Sequence, residues 1–256
     1  MLLALDAGNT NITIGAFDGT ALAGRWRLRT ALGQTADEWG VLMRNLFSLS
    51  ALELAGVDGV IVSSVVPPLD ADLAEMSQSY FHRKALFVTH STDTGLKICV
   101  DTPSEVGADR IVNSVAAFTK HGGPCVVVDL GTAITFDVVS KSGGYMGGLI
   151  APGIGIAIEA LFAKTAQLPL VDFREPEKLI GTNTVSNIQS GLYYGAIGMI
   201  DGILDRLYEE LGPGTHVVAT GGQARLITRG SRYLKEVDEN LTLDGLRMIW
   251  ERRKGR

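Results

Sequence analysis

The chain has 256 residues, of which 46% are hydrophobic and 20% are charged, and its formal net charge is −5. This composition is typical of one or two folded domains and excludes a disordered chain, while the acidic balance argues against nucleic-acid binding, which needs many Lys and Arg residues. No uninterrupted apolar run reaches the ~18 residues of a membrane span, and no basic flank or cleavage signal marks a secretory leader. We therefore expect a cytoplasmic protein.

The first half of the chain alternates strand and helix patterns. A segment over 35–52 has the apolar face of a helix, and Thr35 followed by Glu38 forms the signature of a capping box. The predicted elements are a hairpin from residue 2, a strand over 24–30, a helix over 35–52, a strand over 58–68, a helix over 68–81, a strand over 84–90 and a helix after residue 108.

The second half repeats this alternation. Its predicted elements are a hairpin from residue 125, a helix over 152–168 with Pro152 in its first turn, a helix over 185–211, a strand over 215–220 leading through Gly221-Gly222 into a short helix, and a closing helix over 241–252. The alternation predicts an α/β protein with mixed sheets flanked by helices. We expect an N-terminal lobe over 1–115 and a C-terminal lobe over 116–256.

Two hairpins begin in the same way. An apolar strand ends in Asp6 and in Asp129, and each carboxylate is followed by a glycine turn and an alternating second strand. The two aspartates lie 123 positions apart, close to half the chain length, which predicts a duplicated two-lobe architecture. One such aspartate is an ordinary turn residue, but two equivalent copies favour a shared ligand. Turn amides, helped by Thr10, Asn11 and Thr132, suit anionic phosphates, and the carboxylates suit hydrated cations.

The segment DTPSEVGADR, residues 101–110, leads into a helix with Asp109 in its first turn. The helix dipole alone favours an acidic residue there. The functional alternative makes Asp109 the group that takes a proton from a substrate hydroxyl, and Arg110 the partner of a substrate carboxylate. Similarly, Gly221-Gly222 suits either close approach of a ligand or a tight turn between strand and helix.

The positions of the cysteines and histidines bear on two questions, whether the chain forms a disulfide and whether it binds zinc. Cys99 and Cys125 lie in apolar segments, and we expect two buried thiols in a reducing compartment, with a disulfide left open by the sequence. The four histidines show no metal-ligand spacing among themselves or with the cysteines, so a zinc site is not expected.

Four motifs in order resemble the type III pantothenate kinases, which belong to the actin/hexokinase-like phosphotransferase superfamily. They are D-x-G-N-T-N at 6–11, G-A-D-R at 107–110, D-L-G-T-A at 129–133 and G-x-x-x-P-G at 148–153. The resemblance covers essentially the whole chain. It implies a duplicated actin-like (ribonuclease H-like) two-lobed ATPase fold. It also implies ATP-dependent phosphorylation of pantothenate to 4'-phosphopantothenate, the first step of coenzyme A biosynthesis.

The resemblance also implies the roles of individual residues. Those implied to bind ATP are Asp6, Ala7, Gly8, Asn9, Thr10, Asn11, Ile12, Thr13 and Thr132. Those implied to bind pantothenate are Gly107, Ala108, Asp109, Arg110 and Thr184, with Asp109 as the catalytic base. Asp129 is implied as the ligand of a monovalent cation, K⁺ or NH₄⁺. We expect Asp6 to face the Mg²⁺ that accompanies ATP through water, and the resemblance implies a homodimer.

The chain departs from the family pattern at Val100, where members usually carry a tyrosine that is expected to touch pantothenate. Valine supplies no hydroxyl, which puts the affinity for pantothenate in question. Two alternatives to a pantothenate kinase follow from the fold alone. One is another small-molecule kinase or a nucleotide phosphohydrolase, which would need a residue that positions water. The other is a non-catalytic nucleotide-binding regulator, against which the intact Asp6, Asp109 and Asp129 argue.

Overall fold

A computed structural model describes residues 1–255 and divides the chain into two compact units. The first unit comprises Met1–Ala116 together with the chain from Asn240 onward, and the second comprises Ala117–Glu239. Among the described residues, no helix is both long enough and apolar enough to cross a bilayer.

The first unit is built on a five-stranded sheet in the order β3-β2-β1-β4-β5, in which β1 pairs antiparallel with β2 and parallel with β4. Its elements are β1 (Leu2–Ala7), β2 (Asn11–Asp18), β3 (Ala21–Arg29), α1 (Ala36–Leu49), β4 (Gly59–Ser64), α2 (Pro67–Phe81), β5 (Leu86–Phe87), β6 (Lys97–Ile98) and the start of α3 (Ala108–His121). The closing helix α7 (Leu241–Lys254) completes it.

The second unit repeats this pairing pattern. Its elements are β7 (Cys125–Leu130), β8 (Ala133–Val139), β9 (Gly144–Pro152), α4 (Ile154–Lys164), α5 (Thr184–Leu211), β10 (His216–Thr220), α6 (Ala224–Ile227) and β11 (Glu236–Val237). Its own strands run in the order β9-β8-β7-β10-β11, with β7 antiparallel to β8 and parallel to β10. In each unit, the strand that carries the aspartate near its end therefore lies between an antiparallel strand, with which it forms a hairpin, and a parallel strand. The predicted duplicated actin-like fold is confirmed.

Helices cover both faces of the first sheet because β1 is apolar on both sides. Leu3 and Leu5 pack with the buried residues Trp39, Met43 and Phe47 of α1 and with Leu69 and Leu73 of α2. The alternate residues of β1, Leu2 and Ala4, face the opposite layer, which α3 and α7 supply. Because successive side chains of a strand point to opposite faces, the residues of β1 pack into two separate clusters. Packing on both faces holds β1 rigidly at the centre of the unit.

The closing helix α7 belongs to the first unit, although chain order assigned it to the C-terminal lobe. Its apolar stripe of Leu243, Leu246 and Ile249 is buried in the same cluster as Leu2 and Ile61 of the first sheet. Burial of this stripe beside α3 on the sheet face accounts for the grouping, because apolar area removed from water stabilises the packed arrangement.

Several local expectations are confirmed and others are corrected. The capping box is present, since the Thr35 hydroxyl accepts from the Glu38 amide and the Glu38 carboxylate accepts from the Thr35 amide. Residues 144–152, for which no element is predicted, form β9 because they pair along β8, and Pro152 ends that strand instead of entering α4, which begins at Ile154. Both cysteines are free thiols, but Cys99 is exposed.

Candidate functional site

The Asp6 carboxylate lies at the carboxyl end of β1, where open α/β sheets bind their ligands. Asp6 is half-buried and stands opposite Thr13 of β2 and Ser63 of β4. Since β1 is hydrogen-bonded on both edges and buried on both faces, the position of this carboxylate is set by the sheet and not by a flexible loop.

A tight turn follows Asp6. The Gly8 amide donates to the Asn11 carbonyl at 3.0 Å, and Thr30 ties the turn to the end of β3 by donating its hydroxyl to the Gly8 carbonyl at 2.6 Å. Thr10 is exposed in this turn, whereas the side chains of Ala7 and Ile12 are fully buried. These two buried residues therefore have only backbone groups to offer to a ligand such as ATP.

The Asp109 carboxylate is held at the start of α3. Its Oδ1 accepts from the Arg110 amide at 2.8 Å, and a Cβ atom placed on Gly107 would lie 2.5 Å from this oxygen. Only glycine at position 107 leaves room for the carboxylate to fold back over the helix start. Burial raises the pKa of Asp109 above its ordinary value of 3.8, although the Arg110 amide and charge oppose the shift.

Val65 brings these two segments of the first unit together. Its amide donates to the Ala7 carbonyl at 3.0 Å, and its Cγ1 would lie 3.5 Å from a Cβ at Gly107. Sequence reasoning missed this contact, because Val65 lies in an apolar segment that predicts a strand. Val65 therefore bonds to the residue after Asp6 and lies beside the first residue of the Gly107–Arg110 segment.

The Asp129 carboxylate repeats the arrangement of Asp6 in the second unit. It lies one residue before the end of β7, opposite Thr135 of β8 and Thr220 of β10. The Gly131 amide donates to the Ala133 carbonyl at 3.0 Å, which closes a turn that exposes Thr132. This turn is one residue shorter than the turn after Asp6, so the two copies share a topology but differ in detail.

Gly221 packs directly against Asp129. It follows β10 with a φ of +94°, and a Cβ atom there would lie 2.5 Å from Oδ1 of Asp129 and 2.7 Å or less from the Leu130 backbone. The Gly-Gly pair is therefore required both by its left-handed backbone and by the close approach of the carboxylate. The sequence pattern indicated a tight turn or a ligand here, but not that Asp129 is its neighbour.

Thr184, the remaining predicted site residue, is exposed at the first position of α5. Asn183 caps that helix by accepting from the Ser186 amide at 2.9 Å. Thr184 belongs to the second unit, together with Asp129 and Thr132, whereas Asp6 and Gly107–Arg110 belong to the first. The structure therefore assembles two carboxylate-bearing segments in the first unit and one in the second.

Comparisons with known proteins find relatives over nearly the whole chain. A family model described as type III pantothenate kinase matches residues 2–206. A protein of Solibacter usitatus named type III pantothenate kinase is 67% identical over 98% of this chain and 97% of that protein. A protein of the same name from Koribacter versatilis is 55% identical over 98% of this chain and 96% of its own length.

A solved structure from Campylobacter jejuni, described as a Baf family transcriptional activator, aligns over 99% of this chain and 100% of its own. Its TM-score is 0.61 and its sequence identity is 18%. At that identity the likeness concerns the fold alone, and it adds nothing for or against a regulatory role of this chain.

Proposed function

The chain belongs to the type III pantothenate kinase family, which carries out ATP-dependent phosphorylation of pantothenate in coenzyme A biosynthesis, and we propose how its residues divide that work. The observation that carries the proposal is that Val65 bonds to Ala7, next to Asp6, and lies beside Gly107, two residues before Asp109. Phosphoryl transfer depends on positioning and charge neutralisation more than on covalent chemistry, so the adjacency of a phosphate-binding turn and a base is the essential requirement.

Asp109 is the base in this proposal. The primary hydroxyl of pantothenate gives its proton to the Asp109 carboxylate as its oxygen attacks the γ-phosphorus of ATP, and ADP leaves. The bond from the Arg110 amide to Oδ1 fixes the carboxylate, and its raised pKa makes it a stronger proton acceptor than an exposed aspartate. The guanidinium of Arg110 binds the carboxylate of pantothenate, for which a planar fork of donors is suited.

The Asp6 turn receives the phosphates of ATP. Its exposed residues Asn9 and Thr10 offer backbone amides and a hydroxyl, and the equivalent turn of the second unit offers Thr132. Half-buried Asp6 at a rigid strand end suits Mg²⁺, which is bound through one or two carboxylates and keeps several waters. Mg²⁺ would supply neutralisation of the triphosphate charge when bound.

Asp129 and Thr184 complete the proposed site. A Cβ atom at Gly221 would lie 2.5 Å from Oδ1 of Asp129, so the absence of a side chain at Gly221 forms a cradle for this oxygen. A hard carboxylate oxygen in such a cradle fits a monovalent cation, K⁺ or NH₄⁺, which would supply positive charge there. Thr184, exposed at the start of α5, contacts pantothenate in this proposal.

The active form is a homodimer in this proposal. Apolar side chains of β9 and α4 are exposed in the second unit, with Ile150 at 67% and Phe162 at 51%, and exposed apolar surface of this kind marks interaction sites. We expect Ile150→Glu combined with Phe162→Glu to shift the protein from dimer to monomer in light scattering. The matched control is Leu49→Glu on α1, which is 85% exposed in the first unit and should leave the dimer intact. The cytoplasmic location stays a prediction.

The test is release of ADP from ATP and Mg²⁺ with and without pantothenate, each in the presence and absence of K⁺, with the phosphorylated product identified by mass. We expect ADP release that requires pantothenate and is stimulated by K⁺. ADP release that ignores pantothenate would favour a phosphohydrolase, and ATP binding without turnover in any condition would favour a regulator. Either result contradicts the assignment of roles given above.

A further inference from the structure

A cluster of two histidines and a glutamate lies in the second unit, away from every predicted site residue in the sequence. His121 ends α3, His216 begins β10 and Glu236 begins β11. One ligand atom from each side chain lies within 4.8 Å of the others. The spacing of the histidines in the chain gave no hint of this cluster, because its members are brought together only by the pairing of β10 with β7 and β11.

The geometry of the cluster directs both imidazoles at one carboxylate. Nε2 of His216 lies 2.9 Å from Oε2 of Glu236, and Nε2 of His121 lies 3.6 Å from Oε1. The two rings are stacked, with centroids 3.9 Å apart and planes 13° from parallel. Two ring nitrogens therefore lie beside one carboxylate, and three separate elements supply these groups.

One of these atoms lacks a hydrogen bond. Nε2 of His121 is buried and makes no hydrogen bond with any of residues 1–255. The neighbouring cation, Lys120, is bound to Asp238 at 2.6 Å, so its charge is neutralised next to the cluster.

The cluster lies at the end of the strands opposite to Asp129. His216 pairs with Cys125 at the start of β7, and Thr220 pairs with Asp129 near its end. Four residues of extended strand separate the two positions by roughly 13 Å. The cluster therefore takes no part in the phosphate-binding turn.

We propose that His121, His216 and Glu236 bind a divalent transition-metal ion, with Zn²⁺ the best match. Two imidazoles and a carboxylate are a donor set that suits zinc and not magnesium. The side chains of His216 and Glu236 are 37% and 44% exposed, which leaves room for water as the fourth ligand. The ion ties the end of α3 to β10 and β11, and it stabilises the folded chain because the unfolded chain lacks the assembled site.

The test is calorimetric titration of ZnCl₂ into the full chain after removal of metals with a chelator, in the absence of ATP. We expect a single Zn²⁺ per chain and a rise in Tm on saturation. His216→Ala and the nearly isosteric Glu236→Gln should each weaken zinc binding at least about 100-fold. Mutation of a residue that only hydrogen-bonds to a metal ligand already lowers metal affinity about ten- to a hundredfold, and loss of a ligand should cost more. Co²⁺ should give the visible bands of a tetrahedral complex in the unsubstituted chain only.

Two matched controls guard against adventitious binding. His90→Ala removes an exposed histidine and Cys99→Ser removes the exposed thiol, and both should bind zinc as the unsubstituted chain does. Circular dichroism of the zinc-free variants checks their folding. If His216→Ala proves to be unfolded, the zinc affinity of Glu236→Gln provides the test. The proposal is overturned if the unsubstituted chain takes up no zinc, if folded Glu236→Gln binds it equally well, or if either control abolishes binding.

Discussion

A Cβ atom at Gly107 would lie 2.5 Å from Oδ1 of Asp109, which is closer than unbonded carbon and oxygen atoms approach. The glycine is thus part of how the carboxylate is positioned. Gly107→Ala should displace the carboxylate and lower kcat about 100-fold, because a misplacement of about 1 Å in an active site has a cost of that size. The binding of ATP should persist. Steady-state kinetics and ATP titration check this. Gly198→Ala on α5, where a Cβ meets nothing within 4 Å, is the control. Equal kcat values for the two variants would contradict the role of Gly107.

Removing the charge of Asp109 should separate binding from chemistry. Asp109→Asn keeps the shape of the side chain but loses the proton acceptor, so we expect kcat to fall by about 10²- to 10⁴-fold with little change in ATP affinity. Because burial raises the pKa of Asp109, the acid limb of the kcat/KM profile should lie above the ordinary aspartate value of 3.8. Near-normal turnover in the variant would remove Asp109 from this role.

The same substitution should stabilise the protein at neutral pH. A carboxyl whose pKa is raised by folding binds its proton more tightly in the folded state, so its contribution to stability is fully present below pH 3.8 and is lost as pH rises through the raised value. Asp109→Asn removes this loss. Its Tm should exceed that of the parent at pH 7 and match it near pH 3, as measured by calorimetry at both values. A lower Tm at pH 7 would contradict the desolvation argument.

Gly221 offers a test of the Asp129 cradle. In Gly221→Ala the new methyl group would press on Oδ1 of Asp129, and we expect stimulation by K⁺ to be lost along with some stability. Gly212→Ala is a matched control, because Gly212 has nearly the same φ, +95°, but no atom within 4 Å of an added Cβ. Both variants carry the strain of a left-handed alanine, about 1 kcal/mol. Only Gly221→Ala should lose stimulation by K⁺. If Gly221→Ala is still stimulated by K⁺, Asp129 is not the cation ligand.

A buried tyrosine stabilises β8 and β9. The Tyr145 hydroxyl donates to Oδ1 of Asp137 at 2.8 Å, and both residues are fully buried. Tyr145→Phe should lower the free energy of unfolding by about 1–3 kcal/mol, since a buried acceptor loses its donor. Tyr80→Phe removes an exposed bond to Asp37 of 2.7 Å and should cost less than about 1 kcal/mol. Urea denaturation of both variants checks the difference, and equal losses would show that burial is not the cause.

The departure from the family pattern at Val100 can be tested by substitution. It is half-buried, two residues after β6 and ahead of the segment that leads to Asp109. If the missing hydroxyl weakens pantothenate binding, Val100→Tyr should lower the KM for pantothenate by about fivefold, the worth of one neutral hydrogen bond near 1 kcal/mol. Val100→Phe adds the ring without the hydroxyl and should leave the KM close to that of the parent. An unchanged KM in both variants would make the departure neutral.

Much of the fold was accessible from sequence because its signals are local. Alternating apolar residues, the capping box at Thr35 and the two Asp-Gly turns each depend on neighbours within a few positions, and these were enough to predict the duplicated fold. The nine-residue strand β9 was missed because it is held extended by pairing along β8, which no local pattern indicates. The placement of α7 was missed because an apolar stripe indicates that a face is buried but not which surface buries it.

The sequence by itself determined the carboxylates, the glycine turns and the family, since these reside in contiguous motifs. The tertiary structure decided which distant residues meet. Gly221 lies against Asp129, Val65 lies beside Gly107, and His216 stacks on His121, although long segments of chain separate the members of each pair. Such contacts depend on the register of parallel strands, which is set by packing over the whole unit. No local pattern encodes it.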